Sequence, residues 1–94
     1  MARMHNPPHP GEILREFLPE GMTVEKFAQR LGISRVHVSR VLNGRSGISA
    51  DMAIRIGLLT RTTPESWLVG QTKWDLWQAA LKPAPAVQPL RRGA

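Results

Sequence analysis

Residues 23–45 read TVEKFAQRLGISRVHVSRVLNGR, and this stretch predicts two short helices joined by a tight turn. Apolar side chains recur in its first half at the three- and four-residue spacing of one helical face, namely at Val24, Phe27, Ala28 and Leu31. Gly32 follows them, where a helix end often needs a backbone with positive φ. Ser34 precedes a second helical run and is placed to cap its free N–H groups. In that run Val38, Val41 and Leu42 repeat the spacing and are expected to pack on the first helix.

The second helix is left with an outward face that is mostly polar and basic. Its members are Arg35, Val36, Ser39 and Arg40. Two short helices joined by a glycine-containing turn form the helix-turn-helix unit, whose second helix enters the DNA major groove. Because a guanidinium fork matches the O6 and N7 acceptors of guanine, Arg35 is predicted to read a base edge, and Arg40 a base edge or a flanking phosphate. Val36 is placed to touch a thymine methyl group.

Residues that flank this face suit contacts to the DNA backbone, which position a protein without reading sequence. These contacts are predicted for Ser34, Asn43 and Arg45. Thr23, which caps the helix before the turn, is also counted among the DNA-binding residues. His37 is assigned to a phosphate or a base, although a lone histidine near a helix start is more often simply solvated. The alternative for the whole group is a solvated basic helix face. Capping, turn, core spacing and charge occur together here, which favours DNA reading.

The charge of the chain favours a polyanionic partner. Its 94 residues carry a formal net charge of +6, and the pI is about 11.4. Residues 23–45 hold five basic side chains against one acidic one, whereas residues 12–20 hold Glu12, Glu16 and Glu20 against Arg15. At this length we expect a single domain with one modest core, which a partner subunit would help to stabilise.

Several classes of protein are disfavoured by what the sequence lacks. It has no Cys, which excludes disulfides and thiolate metal sites and suits a reducing cytoplasm. No apolar run approaches the ~18–20 residues that span a bilayer, so no membrane partner is expected. No Ser-His-Asp, paired-carboxylate or phosphate-loop constellation is found, so neither an enzyme nor a cofactor is expected. A protein-interaction module that has lost DNA binding stays open, although Arg35 and Arg40 argue against it.

The two ends of the chain lack the pattern of a core. Residues 1–10, MARMHNPPHP, are predicted to form an N-terminal arm, and residues 82–94, rich in Pro and Ala, a flexible or ligand-ordered tail. His5 and His9 are four apart, as metal ligands on a helix would be. Pro7 and Pro8 between them exclude that helix, so no metal site is predicted.

Three further helices complete residues 11–81, the expected DNA-binding domain. The first, Gly11–Leu18, is predicted to bury Ile13, Leu14, Phe17 and Leu18. The fourth starts at the cap Ser49 and has a core-facing stripe of Met52, Ala53, Ile56 and Leu59. Gly57 is unusual inside a helix and suggests the close approach of a neighbouring backbone. Thr63, Pro64 and Glu65 form a strong start signal for a fifth helix that reaches Leu81.

The fifth helix holds all three tryptophans, and aromatic side chains are common anchors of interfaces. We predict a two-fold dimer through Trp67, Trp74, Leu76, Trp77 and Leu81. Such a dimer places two recognition helices about 34 Å apart, one turn of DNA. The alternative is that these residues only close the core of the monomer, and Trp67 is suited to both roles.

Three segments in order make the chain resemble the HigA antitoxin family of the Cro and phage-repressor superfamily. They are HPGEILREFL, LGISRVHVSRVLNGRSGIS, and TPESWL followed by WDLWQA. The resemblance covers residues 4–81 and implies an all-α, five-helix lambda-repressor-like helix-turn-helix domain. It also implies a homodimer that binds a palindromic operator in its own promoter and neutralises a HigB-type, mRNA-cleaving ribonuclease toxin.

The resemblance has one competing interpretation and two local departures. A stand-alone transcriptional repressor of the same fold is the alternative function. Thr60 and Arg61 occupy positions where the family usually has a leucine and a glycine, and Gly57 replaces a longer polar residue. These departures bear on the geometry between the fourth and fifth helices and leave the reading unit intact.

Overall fold

The computed structural model describes residues 6–91, and within that range the regular structure is entirely α-helical. The five helices are α1 (Pro10–Glu16), α2 (Val24–Leu31), α3 (Arg35–Leu42), α4 (Ala50–Thr60) and α5 (Pro64–Ala80). Each corresponds to a helix predicted from the sequence, so the all-α, five-helix class is confirmed. Helix α1 packs on α3 and α5, α2 packs on α3 and α4, and α4 packs on α5.

Side-chain caps begin four of the helices where the sequence places them. The hydroxyl oxygens of Thr23, Ser34, Ser49 and Thr63 accept hydrogen bonds from backbone N–H groups three residues later, at 3.1, 3.2, 3.2 and 3.2 Å. Each bond satisfies a donor that the first turn of a helix leaves without an intrahelical partner. The helix boundaries are therefore encoded locally.

His9 is the cap of α1, a role that the sequence analysis did not assign. Its Nδ1 accepts from the N–H of Gly11 at 2.9 Å, and the carboxylate of Glu12 accepts from the N–H of His9 at 3.1 Å. The imidazole is buried and lies edge-on to the ring of Trp74, with 4.7 Å between centroids. The helix thus starts at Pro10, inside the segment assigned to the arm. His5 lies outside the described residues, and residues 6–91 contain no cluster suited to a metal ion.

The buried cap makes the stability of the protein sensitive to mild acid. Desolvation lowers the pKa of His9, against smaller opposing effects of the Glu12 and Asp75 carboxylates. Below the ordinary pKa of about 6.5 the unfolded chain binds a proton at His9 that the folded chain does not. We therefore expect the contribution of His9 to stability to fall as the pH drops below that value and to stay constant above it. The loss is at most about 1.4 kcal/mol per pH unit, the slope for one proton. Urea unfolding at pH 7.5 and 5.5 measures it.

His9→Asn is the matched control, because asparagine also caps helices but does not titrate in this range. We expect the variant to lose the part of the pH dependence that belongs to His9 while other groups titrate as before. An equal loss of stability on acidification in wild type and variant would contradict this assignment.

All five helices contribute to the core, together with Ile48 from the loop between α3 and α4. The predicted stripes of α2, α3 and α4 are confirmed, with Val24 and Leu59 partly buried at their edges. In α1 the prediction is wrong for two residues, since Ile13 is 36% exposed and Phe17 is 40% exposed. The helix has seven residues and docks through the edge that carries Gly11 and Leu14. Ile13 and Phe17, four residues apart, share the neighbouring edge.

Backbones approach closely where α1 crosses α3 and where α4 meets the turn that leads into α5. A methyl group at Gly11 would collide with the carbonyl oxygen of Val41 and lie 2.8 Å from its carbon. One at Gly57 would lie 2.8 Å from the carbonyl oxygen of Thr62. The suggestion that Gly57 admits a neighbouring backbone is therefore confirmed.

The turn between α4 and α5 accommodates Thr60 and Arg61, the two residues that differ from the usual family pattern there. Arg61 takes the left-handed conformation with φ 60°, where glycine would be unstrained. Thr60 and Thr62 share a hydroxyl hydrogen bond of 2.8 Å, and Trp67 Nε1 donates to Thr62 Oγ1 at 2.6 Å. Side-chain hydrogen bonds thus tie this turn to α5.

C-terminal to α5, residues 82–91 form an exposed, non-helical segment. It contributes to an elongated outline of 60 × 24 × 22 Å. Of the helices described, none has both the length and the apolarity to cross a membrane.

Candidate nucleic-acid interface

The turn between α2 and α3 sets the direction of the proposed reading helix. Gly32 ends α2 with φ 71°, a left-handed conformation that favours glycine. The N–H of Gly32 donates to Gln29 O and that of Ile33 to Ala28 O, both at 3.1 Å. This is the double-bonded helix end of a Schellman motif, which satisfies carbonyls that the last turn leaves free.

Arg55 of α4 braces this turn from the side. Its guanidinium Nη1 donates to Leu31 O at 3.1 Å and to Gly32 O at 3.2 Å, while Nε pairs with Asp51 at 2.8 Å. The role of Arg55 is not recognisable from the sequence, because its partners lie 23 and 24 residues away along the chain. The start of α3 is consequently fixed by α4 as well as by α2.

Helix α3 has the two faces that the sequence predicts. Val38, Val41 and Leu42 are buried, while Val36 is 63% exposed. Arg35 and Arg40 are exposed, and Ser39 and His37 are half-buried. Two guanidinium groups and an apolar side chain therefore project from a helix whose opposite face is held in the core.

Hydrogen bonds at the end of α3 order the predicted flanking residues. Arg40 Nε donates to Ser46 Oγ at 3.0 Å, and the N–H of Arg45 donates to Arg40 O at 2.8 Å. Asn43 Oδ1 accepts from Arg15 at 3.2 Å, and the same guanidinium nitrogen reaches Leu42 O at 3.3 Å. From the sequence, Arg15 contributes only its charge, and these hydrogen bonds were not predicted. No local pattern signals a contact across 28 residues.

The two capping residues near this face retain a free donor. Thr23 and Ser34 are exposed, and each hydroxyl oxygen accepts from its own helix. A hydroxyl carries one proton besides its acceptor lone pairs. That proton stays available to a phosphate oxygen, so capping and backbone contact are compatible at both positions.

The five residues predicted at the dimer contact separate into different environments. Trp67 is 5% exposed and packs against Phe17 with 5.8 Å between ring centroids, so it serves the core of its own subunit. Trp74 is half-buried against His9, and Trp77 is half-buried. Leu76 is 60% exposed and Leu81 is 64% exposed. With 5% of its surface exposed, Trp67 has little area to offer to a second subunit.

The sequence of residues 12–67 matches the helix-turn-helix family HTH_3. The chain belongs to this family. The match begins in α1 and ends in α5, so it spans all the helices that build the surface just described. HTH_3 proteins of this kind are DNA-binding antitoxins and transcription regulators, and they are not enzymes.

Known HTH_3 proteins give the same picture in sequence and in three dimensions. Virulence-associated protein A' of Dichelobacter nodosus is 39% identical over 90 residues, which cover 94% of this chain and 78% of that protein. An addiction module antidote protein of a HigA family from Coxiella burnetii superimposes with a TM-score of 0.77 at 39% identity, over 82% of this chain and 86% of that one. The resemblance to HigA antitoxins is confirmed.

A second related structure contains DNA. The Pseudomonas aeruginosa antitoxin HigA, solved with the higBA promoter, has a TM-score of 0.75 and 40% identity over 80% of this chain and 84% of that one. At 40% identity the two chains are similar in sequence as well as in fold.

Proposed function

We propose that this chain is a cytoplasmic, homodimeric antitoxin that binds a palindromic operator, represses its own operon and neutralises an mRNA-cleaving HigB-type toxin. The observation that carries the DNA-binding part is the outward face of α3, where Arg35, Val36 and Arg40 project from a helix buried on its other side. The promoter complex of the related HigA supports it.

The roles of the individual residues follow from their positions on α3. Arg35, at the first residue of the helix, contacts a base edge, and Val36 beside it meets a thymine methyl group. Arg40, held by Ser46, contacts a base edge or a phosphate. Ser39 also faces a base edge, and His37 contacts a phosphate or a base. The phosphate contacts are made by Thr23, Ser34, Asn43 and Arg45.

Selection of bound duplexes from a random pool of about 30 base pairs tests the DNA-binding part, because two half-sites one turn apart fit within that length. We expect enrichment of an inverted repeat. A pool that stays random after several rounds would contradict sequence-specific binding.

The dimer contact is proposed on α5, through Trp74, Leu76, Trp77 and Leu81. Val69 and Leu76, seven residues apart on one face of the helix, are 51% and 60% exposed, and Leu81, the residue that ends the helix, is 64% exposed. Apolar side chains on one exposed helix face are typical of an interface. We expect Leu76→Asp to convert the dimer to a monomer at micromolar concentration, since a carboxylate would be buried without a partner. Sedimentation equilibrium measures the change.

Leu58→Asp provides the control for that experiment. Leu58 is 80% exposed on α4, where it lies beside Arg30 and Arg55 rather than on α5. We expect this variant to remain dimeric. If Leu58→Asp dissociates the dimer and Leu76→Asp does not, the dimer contact lies on α4 and not on α5.

The toxin is proposed to bind the exposed edge of α1. Glu12 and Glu16 are exposed on this helix, and Glu20 is exposed in the turn that follows it. The apolar side chains of Ile13 and Phe17 in the same segment are 36% and 40% exposed. A ribonuclease that binds RNA is expected to be basic, so this acidic patch on a basic chain is complementary to it. Co-expression with a small basic protein encoded next to this gene separates an antitoxin from a stand-alone repressor. Inhibition of its ribonuclease activity by wild type, but not by Glu16→Lys with Glu20→Lys, is the expected result.

A further inference from the structure

Gln71 is a buried polar residue of α5 that the proposed DNA contacts do not use. It is 8% exposed, and its amide connects two parts of the chain. Oε1 accepts from the N–H of Ile48 at 2.8 Å, and Nε2 donates to Asp75 Oδ1 at 2.9 Å. Asp75 therefore orients the amide, and the amide holds the loop between α3 and α4.

That loop rests directly on the Gln71 side chain. A methyl group at Gly47 would lie 3.0 Å from the amide carbon and from Nε2 of Gln71, so the loop backbone is in close contact with them. The next residue, Ile48, is 4% exposed and anchors the loop in the core. The hydrogen bond from its N–H to the amide oxygen is buried, so this donor relies on Gln71 for a partner.

The other end of the loop carries groups of the proposed DNA surface. The N–H of Arg45 donates to Arg40 O, and Ser46 Oγ accepts from Arg40 Nε. A continuous set of contacts thus runs from Asp75 and Gln71 on α5, through residues 45–48, to the guanidinium of Arg40 on α3.

We infer that Gln71 is a positioning residue for DNA binding, which holds residues 45–48 so that Arg45 and Arg40 meet the DNA in register. The inference rests on the proposed DNA-binding function. Without the amide, the buried N–H of Ile48 loses its partner and the loop shifts toward water. Ser46 then no longer restrains Arg40, and Arg45 loses its place against a phosphate.

Gln71→Glu, with and without Asp75→Asn, tests the orientation of the bridge. The carboxylate at position 71 still accepts from Ile48 but repels Asp75, and we expect about tenfold weaker binding to the duplex that wild type enriches from a random pool. With Asp75→Asn added, the new amide donates to that carboxylate, so affinity returns to within about twofold of wild type. Gln78→Glu, the same change at a half-buried position on α5, is expected to have less than about a twofold effect.

Two readouts separate positioning from a general loss of stability. The slope of log affinity against log salt should become shallower by about one in Gln71→Glu, because one phosphate contact is lost. In a background of Arg45→Ala with Ser46→Ala, the tenfold effect should shrink below about twofold, since the groups being positioned are gone. Thermal melts establish that each variant is folded at the assay temperature.

Each negative result contradicts a different part of the proposal. Equal affinity of wild type and Gln71→Glu, or an undiminished effect in the Arg45→Ala, Ser46→Ala background, overturns the role of Gln71 and leaves DNA binding intact. Failure of Asp75→Asn to restore affinity overturns the proposed bridge. Absence of any enriched duplex with wild type overturns both the function and this inference.

Discussion

Among glycine-to-alanine substitutions within the helices, Gly11→Ala is expected to destabilise the fold most. The methyl group would collide with the carbonyl oxygen of Val41, and its distance of 2.8 Å to the carbonyl carbon leaves no room for a small adjustment. Backbone atoms cannot rotate away as a side chain can, so α1 has to separate from α3. We expect a loss of about 3 kcal/mol or more. Urea unfolding followed by tryptophan fluorescence measures it.

Gly70→Ala is the matched control for this prediction. Gly70 also lies within a helix, but a methyl group there meets nothing within 4 Å. Alanine then adds only its better helix propensity, and stability should rise by roughly 0.5–1 kcal/mol. If Gly11→Ala changes the free energy of unfolding by less than about 0.5 kcal/mol, the close crossing of α1 and α3 is not the contact we describe.

The same crossing is relevant to function because α1 supports the end of the proposed reading helix. Arg15 reaches Leu42 O and Asn43 from α1. A displaced α1 therefore releases the end of α3 as well as its buried face. We expect whatever Gly11→Ala protein remains folded to bind DNA more weakly than wild type.

Features that depend on neighbours along the chain were predictable from the sequence. Ser34 and Thr63 cap the helices that follow them, and Gly32 ends α2 with a positive φ, since each effect involves residues within one turn. The stripe of Val38, Val41 and Leu42 was equally clear, because helical spacing alone determines which side chains share a face.

Features that depend on distant parts of the chain were not predictable. The bond between Ile48 and Gln71 joins residues 23 apart, and nothing in either local sequence indicates it. His9 looked like part of a proline-rich arm because histidine is a rare cap. Its role becomes clear only when Trp74 covers the ring. The tryptophans of α5 suggested a single interface, but Trp67 packs against Phe17 and Trp74 packs against His9, so both also contribute to packing within the subunit.

Arg35→Ala is the substitution expected to change DNA recognition most. Arg35 is exposed at the first residue of α3, and the hydrogen bonds that hold this helix in place are made by Ser34, Arg40 and Arg15. The protein should therefore stay folded while one base contact is lost. We expect binding to the enriched duplex to weaken by roughly 1–3 kcal/mol, with relaxed base preference at one position in each half-site. Binding isotherms on a set of single-base variants of that duplex measure both effects.

Two other arginines distinguish base reading from the loss of one positive charge. Arg45→Ala should weaken binding to all duplexes alike and make the salt dependence shallower, because Arg45 is assigned to a phosphate. Arg30→Ala removes the same charge from the last turn of α2, beside Leu58 and Leu59 of α4, and should change affinity little. If Arg35→Ala behaves like Arg45→Ala, with uniform weakening and unchanged base preference, then Arg35 lies on the DNA backbone and the register of α3 in the groove differs from the one proposed.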